Sequence, residues 1–230
     1  MKLQKETNSP QMGHGRWYSD ACGTAFAMEL IGERWSLLII RELMLGGRRF
    51  SDLRASLPAI SAKVLTERLA RLEEEGVLMR RRLPPPAATQ VYELTEWGYL
   101  AEPAIQELGR WAARSPGHDP TLPLSPVSFM LSLRTMMDRE AAREVEASAG
   151  FTVGGESFLA ELRGGEMPVR RAERGEGELQ FAADEPLPLL RLIYGKQKLE
   201  QAEQAGVRFS GDRSLARRFL ALFSLPPKIG

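Results

Sequence analysis

The side chains best suited to chemistry in this chain are cations and hydrogen-bonding groups in residues 49–72 (RFSDLRASLPAISAKVLTERLARL), together with the triplet Arg80, Arg81 and Arg82 that follows. Lys63 and Thr66 can donate to base edges or phosphates, and Glu67 can accept from a cytosine amino group. With Ser61 and Ala62 they form a face of small and polar residues able to approach the floor of a major groove, and Arg49 stands ahead of them. Arginines on an exposed hairpin can clamp phosphate or simply discourage edge pairing. From Arg48 to Arg82 nine cations stand against five acids, inside a 230-residue chain that is almost neutral, with 31 Lys and Arg against 30 Asp and Glu. Such a local excess is the electrostatic footprint of nucleic acid.

The elements that must position these groups follow from the pattern. Pro58 cannot sit inside a helix without losing a hydrogen bond, so a first helix ends near Leu57. Ser61 has the side chain to cap the next helix, and Leu65, Leu69 and Leu72 fall at i, i+4 and i+7, a stripe that must face a core. Gly76 ends that helix. Residues 77–83 then pair with 90–94 around a tip rich in proline and alanine. Two helices, a tight corner and a basic hairpin make a winged helix-turn-helix, with residues 61–75 as the helix that enters the groove. Trp35, Leu37, Leu38, Ile39 and Ile40 are too dense an apolar run for a surface helix and place a helix over 31–43 at the centre of the module. Trp97, Leu100, Ile105, Leu108 and Trp111 predict a further long helix, kinked at Pro103.

Residues 20–115 resemble an HxlR-type winged helix-turn-helix regulator. The likeness is carried by Cys22 ahead of Ile31-Gly32-Glu33-Arg34-Trp35-Ser36, by Arg49-Phe50-Ser51-Asp52-Leu53, by the Leu-Pro-x-Ile-Ser corner, by Leu65-Thr66-x-Arg68-Leu69 and by Tyr92-x-Leu94-Thr95-x-x-Gly98. Ala59 stands where the family commonly has glycine, and Gly23 where a proline often follows the cysteine. The resemblance implies a homodimer built from the segment around Cys22 and the terminal helix, double-stranded DNA as partner, and no catalysis. Aromatics in excess of what one small module can bury agree with a dimer. Cys22 itself reads as a small buried hydrophobe; redox or thiol-adduct sensing is the alternative that the resemblance raises.

A chain of this length favours two domains at ~100–200 residues each. Residues 1–18 read as a flexible arm, 19–115 as the winged module, 116–124 as a linker by composition, and 125–226 as a second domain. There a helix over 126–137 precedes alternating residues around 145–153, glycine turns, further strands over 157–163, 167–171 and 178–182, a helix from an Asp184 cap to Tyr194, another over 197–204, a short strand over 207–210 and a last helix over 213–223 opened by Asp212. The expectation is an α+β layer: a four- or five-stranded, largely antiparallel sheet covered by helices. Leu189-Leu190-x-Leu192-Ile193-Tyr194-Gly195 and Val207-x-Phe209-x-Gly211-Asp212, with the glycine turns, resemble the sterol-carrier-protein (type 2) domain. That resemblance implies an apolar tunnel for a small hydrophobic or lipid-like effector, lined by Phe151, Phe158, Leu162, Leu190, Ile193, Tyr194, Phe219 and Phe223; plain core is the other reading of the same residues.

Other classes are poorly supported. No apolar run reaches the ~20 residues of a membrane span, and no signal-peptide pattern opens the chain, so a cytoplasmic protein without a membrane partner is expected. A single cysteine leaves no internal disulfide, and His14 and His118 lack a ligand cluster, so neither metal nor cofactor is expected. No Walker loop, dinucleotide fingerprint or nucleophile elbow occurs. The rival from another class is a carrier or enzyme in the second half, with the winged helix as an interaction module. A third reading makes the second half a structural extension of the dimer.

Overall fold

The structure is a computed structural model that describes Tyr18, residues 20–85 and residues 89–229; the arm expected over 1–18 lies almost wholly outside the described residues, as do Pro86, Ala87 and Ala88 at the hairpin tip. The first half contains α1 (Gly23–Ile31), α2 (Ser36–Leu43), α3 (Phe50–Ser56), α4 (Ala62–Glu74), the hairpin β1 (Leu78–Arg82) and β2 (Gln90–Leu94), α5 (Glu96–Tyr99) and α6 (Glu102–Ala113). The second half contains α7 (Pro126–Met136), a 3₁₀ turn (Ala141–Glu144), β3 (Ala147–Val153), β4 (Glu156–Leu162), β5 (Val169–Arg171), β6 (Leu179–Ala183), α8 (Pro186–Ile193), α9 (Leu199–Gln204), β7 (Arg208–Ser210) and α10 (Arg213–Ala221).

Local chemistry explains the helix bounds around the corner. α3 stops one residue before Leu57-Pro58. The Ser61 hydroxyl then accepts from the Val64 N–H at 3.2 Å and opens α4. At the far end Gly76 adopts φ +72°, and the Val77 N–H reaches back to the Leu72 carbonyl at 2.9 Å. That six-to-one bond closes the helix in the manner that favours glycine just past the end. Ala59 has no positive φ, so the corner accommodates it where the family commonly has glycine.

The central helix expected over 31–43 starts five residues later, at Ser36, and Ile31 instead ends α1. Trp35 turns the chain at φ +84°, and α2 begins only at Ser36. Two arginines of α4 hold the broken segment: Arg68 donates to the Arg34 carbonyl at 3.2 Å and pairs with Glu33, and Arg71 donates to the Glu29 carbonyl at 2.9 Å. Positive charge at the C-terminal end of α1 is also favoured by the helix dipole. The long helix expected through Trp97 and Trp111 is likewise broken. α5 ends at Tyr99, and Pro103 lies in the first turn of α6, where its missing N–H costs nothing.

The five-stranded sheet has the order β5-β4-β3-β6-β7, with β3 and β6 parallel and the other pairs antiparallel. Its register lines up Arg171, Phe158, Phe151, Phe181 and Phe209 in one row across all five strands. Phe151 and Phe181 stack at 5.2 Å between centroids, and Phe129 of α7 and Phe219 of α10 close over them. The alternation read along 144–153 gives too exposed a strand. β3 is central, so Thr152 is buried beside Ser157, and a Cβ on Gly150 would fall 2.1 Å from the Glu176 carbonyl oxygen. Asp184 does not cap α8: Glu185 occupies that position, and Asp184 pairs with Arg208 instead.

The two halves share one continuous apolar core. Arg48, expected among the exposed cations, is buried and donates both guanidinium nitrogens to Glu156 at 3.1 and 3.2 Å. Behind it the fully buried Glu42 accepts from Ser125 at 2.6 Å and from Arg41 at 2.9 Å. Residues 116–124 form no helix or strand, yet they are not loose. Lys228 donates to the carbonyls of Ala113, Ser115 and His118 at 3.0, 2.9 and 2.9 Å.

Candidate nucleic-acid interface

α4 presents two faces. Leu65, Leu69 and Leu72 are buried, while Lys63, Thr66, Glu67 and Ala70 are exposed on the other side. The Lys63 side chain is 85% exposed and meets Glu67 one turn on at 4.0 Å, a separation that leaves both groups free to exchange partners. Thr66 donates its hydroxyl proton to the Ala62 carbonyl at 2.9 Å, which leaves its oxygen able to accept. Ser61 caps the helix and Ala62 opens it, so both lie at its N-terminal end. Arg49 is exposed at the start of α3, where its N–H donates to Asp52 at 3.3 Å.

The hairpin is fixed against this helix by backbone and by charge. Arg48 and Tyr92 exchange backbone hydrogen bonds at 2.9 and 2.8 Å, adding a one-residue third strand. Thr95 donates to the Gly76 carbonyl at 2.8 Å and accepts from Gly98 at 3.0 Å, binding the hairpin's base to the end of α4. Arg80, Arg81 and Arg82 all lie exposed on β1. Their electrostatic states differ. Arg80 donates to Glu73 at 2.7 Å, which raises the guanidinium pKa further, and Arg81 pairs with Glu93 at 2.7 Å. Among the described residues Arg82 has no carboxylate partner. Arg54, exposed on α3, was passed over as a site residue although an exposed cation on the helix before the recognition helix is the available signal.

Phe26, Met28, Trp97, Leu100, Leu108 and Trp111 are exposed apolar residues away from this face, Leu100 and Trp111 each 74% exposed. Cys22, expected to be buried, is exposed. It precedes α1, and the first-turn N–H groups, that of Ala25 foremost and then that of Thr24, lower the thiol pKa although no cap bond forms. The residues expected around a tunnel, Phe151, Phe158, Leu162, Leu190, Ile193, Tyr194, Phe219 and Phe223, are placed in the packed layer between sheet and helices. Tyr194 shares a hydrogen bond with Ser132 at 2.7 Å, and burial pushes its phenol pKa upward. Two surface cavities, of about 920 and 560 Å³, lie elsewhere, and none of those eight residues lines either. Among the described residues no cluster suits a metal ion, and no helix is long and apolar enough to cross a membrane.

Comparison with known proteins falls on the first half. The family model for the HxlR-like helix-turn-helix matches residues 30–119. The uncharacterised HTH-type transcriptional regulator YvaP of Bacillus subtilis is 40% identical over 86 residues, covering 37% of this chain and 80% of YvaP. The HTH-type transcriptional regulator YodB of the same organism is 41% identical over 86 residues, covering 37% of this chain and 77% of YodB. A solved structure of reduced YodB aligns with 37% identity over 43% of this chain and 98% of that one, at a TM-score of 0.39. On this sequence similarity, and with the exposed α4 face and its hairpin as observed, the chain belongs to the HxlR-like helix-turn-helix family.

Proposed function

We propose that this protein is a sequence-specific, homodimeric DNA-binding regulator of transcription, with residues 19–115 as the reading module and 125–226 as an effector-responsive body. The carrying observation is the α4 face: Lys63, Thr66 and Glu67 are exposed together on a helix whose opposite side is buried. In this reading α4 enters the major groove and Lys63, Thr66 and Glu67 meet base edges. Arg49, Arg80, Arg81 and Arg82 track phosphate, with Arg80 and Arg81 exchanging their carboxylates for it. The exposed surface from Phe26 to Trp111 forms the dimer contact, so that two recognition helices lie ~34 Å apart. The second half, by element order, is a sterol-carrier-like layer, and a small hydrophobic molecule sets the dimer's affinity for DNA.

The test is fluorescence anisotropy on a duplex recovered from genomic fragments. Lys63→Ala weakens the selected site by about tenfold more than random duplex, as the ~1–3 kcal/mol of a base contact requires. Arg82→Ala weakens both alike. Salt-insensitive binding, or none, refutes the regulator.

A second reading has its own observation. Cys22 is exposed with a lowered thiol pKa, the environment of a reactive thiol. We propose it as the point where an oxidant or electrophile acts on the dimer. Diamide then releases DNA from the wild type and not from Cys22→Ser; equal release from both refutes it.

A further inference from the structure

We propose that an uncharged, compact apolar molecule bearing one hydroxyl or carbonyl group binds at the junction of the two halves, in the cavity between α2, α6, α7 and segment 116–124. Its occupancy by itself needs no other reading; its effect on DNA rests on the regulator proposed above.

The cavity measures about 560 Å³, within the ~300–1,000 Å³ typical of small-molecule clefts. Its apolar lining comes from both halves: Leu37 of α2 and Met44 just past its end, Ile105 of α6, Leu131 and Met136 of α7. Across this wall α7 lays a stripe of hydroxyls, Ser128, Ser132 and Thr135, at i, i+4 and i+7. Thr135 donates to the Leu131 carbonyl and Ser132 is joined to Tyr194, whereas the Ser128 hydroxyl takes part in no hydrogen bond among the described residues.

Charge selects the occupant. Two ionic groups on the wall are already paired, Arg41 with Glu42 at 2.9 Å and Glu102 with Arg134 at 2.7 Å, while Asp119, which accepts from the Thr121 hydroxyl at 2.6 Å, and His118 are exposed where segment 116–124 borders the cavity. An anionic ligand has to take Arg41 from the buried Glu42 or enter without a partner, which is costly. A hydroxyl or carbonyl needs only the free Ser128 group. Gly109 sits at the cavity's mouth, in the interior of α6, where a Cβ meets no atom within 4 Å. Glycine there weakens the helix and leaves an opening that any larger residue would narrow. Trp111 lies outside the lining and exposed, whereas Leu108 belongs to both, so the surface proposed for the dimer and the cavity adjoin along α6.

The location provides the coupling. α2 packs on α3, α4, α6 and α7, and α6 carries the proposed dimer contact on its outer face. A molecule wedged between α6 and α7 changes DNA affinity by as much as its own affinity differs between the competent and incompetent dimers.

The experiment titrates the full chain with 2-naphthol, following ring fluorescence, and compares naphthalene-2-sulfonate, the same ring with a fixed charge. Saturable binding of one 2-naphthol per protomer is expected, with the sulfonate at least tenfold weaker. Saturating 2-naphthol shifts DNA affinity five- to 150-fold, the ordinary range of such coupling. Gly109→Leu and, independently, Ser128→Val each weaken 2-naphthol tenfold or more while keeping dimer mass and basal DNA affinity. No saturable binding, a sulfonate that binds as well, or undiminished binding in both variants overturns the proposal. Gly109→Leu that yields monomer overturns it too, because the groove then belongs to a second copy. Site-dependent 2-naphthol binding by a protein with no DNA affinity supports the cavity and refutes the regulator; DNA binding that 2-naphthol leaves unchanged overturns the coupling.

Discussion

Raising the salt concentration separates the cations that reach DNA from those that hold the fold. A protein that neutralises Z phosphates loses affinity with a slope of about −0.9Z in log K against log salt. Residues 48–82 contain nine cations, and if all of them met phosphate in both protomers the slope would be about −16. The structure removes three. Arg48 is buried on Glu156, Arg68 is held by Glu33 and Arg34, and Arg71 by Glu29 and Glu75. Arg80 and Arg81 already carry Glu73 and Glu93, so contact with phosphate exchanges one anion for another. With Lys63 on a base edge, Arg49, Arg54 and Arg82 remain, which for a dimer gives a slope of about −5, or about −9 if Arg80 and Arg81 also release counterions. Anisotropy titrations from 50 to 300 mM salt measure this directly. Arg82→Ala lowers the magnitude by about 2, one contact per protomer. A slope steeper than about −14, or one indifferent to Arg82→Ala, refutes the division of these cations into structural and DNA-facing groups.

Ser61→Ala removes the cap of α4 and costs about 1 kcal/mol in urea unfolding; a change below about 0.3 kcal/mol means that water replaces the hydroxyl. Trp111→Glu places a charge in the proposed dimer contact and gives monomer by sedimentation with helical content intact, whereas an unchanged dimer moves the interface elsewhere. The first-turn N–H groups lower the Cys22 pKa, so its thiolate fraction, and its alkylation rate, reach half-maximum below the ordinary cysteine value of about 8.5; a midpoint at or above that value refutes the helix-end effect. Arg48→Met leaves Glu156 with Arg171, and Glu42 with Arg41 and Ser125. It therefore costs about 2–3 kcal/mol, less than the 3–5 of a fully orphaned buried pair, and near-neutral unfolding energetics would show that the junction does not depend on it.

What could be read from the sequence was local. Ser61, the Leu65–Leu69–Leu72 stripe, Gly76 and the Asp212 cap each act within about one helical turn, and the structure has α4 and α10 begin where those caps fall. The expected strands all form, displaced by one or two residues at some ends. What could not be read depends on partners distant in the chain. Arg48 looks like a surface cation until Glu156, 108 positions away, is folded beside it. The break between α1 and α2 is held by Arg68 across 34 positions. Cys22 was misjudged because cysteine is usually buried, while its place ahead of α1 exposes it. The junction cavity has no periodic signature because α2, α6 and α7 supply its wall from three separate stretches.

The position of α2 joins the cores of the two halves. Its buried residues Ile39, Ile40, Glu42 and Leu43 serve contacts on both sides, toward α3 and α4 and toward α6 and α7. Packed interiors transmit displacement because they contain few voids to absorb it. Glu42 adds direction: through Ser125 it touches the start of α7, and through Arg41 it borders the junction cavity. A rotation of α7 relative to α2 must therefore either carry α2 with it or break a buried hydrogen bond to a carboxylate, a loss of roughly 1.5–3 kcal/mol. That cost is comparable with the 1–3 kcal/mol of ordinary allosteric coupling. If α2 moves with α7 that bond is kept, and α2 is the helix against which α4, the proposed recognition helix, packs.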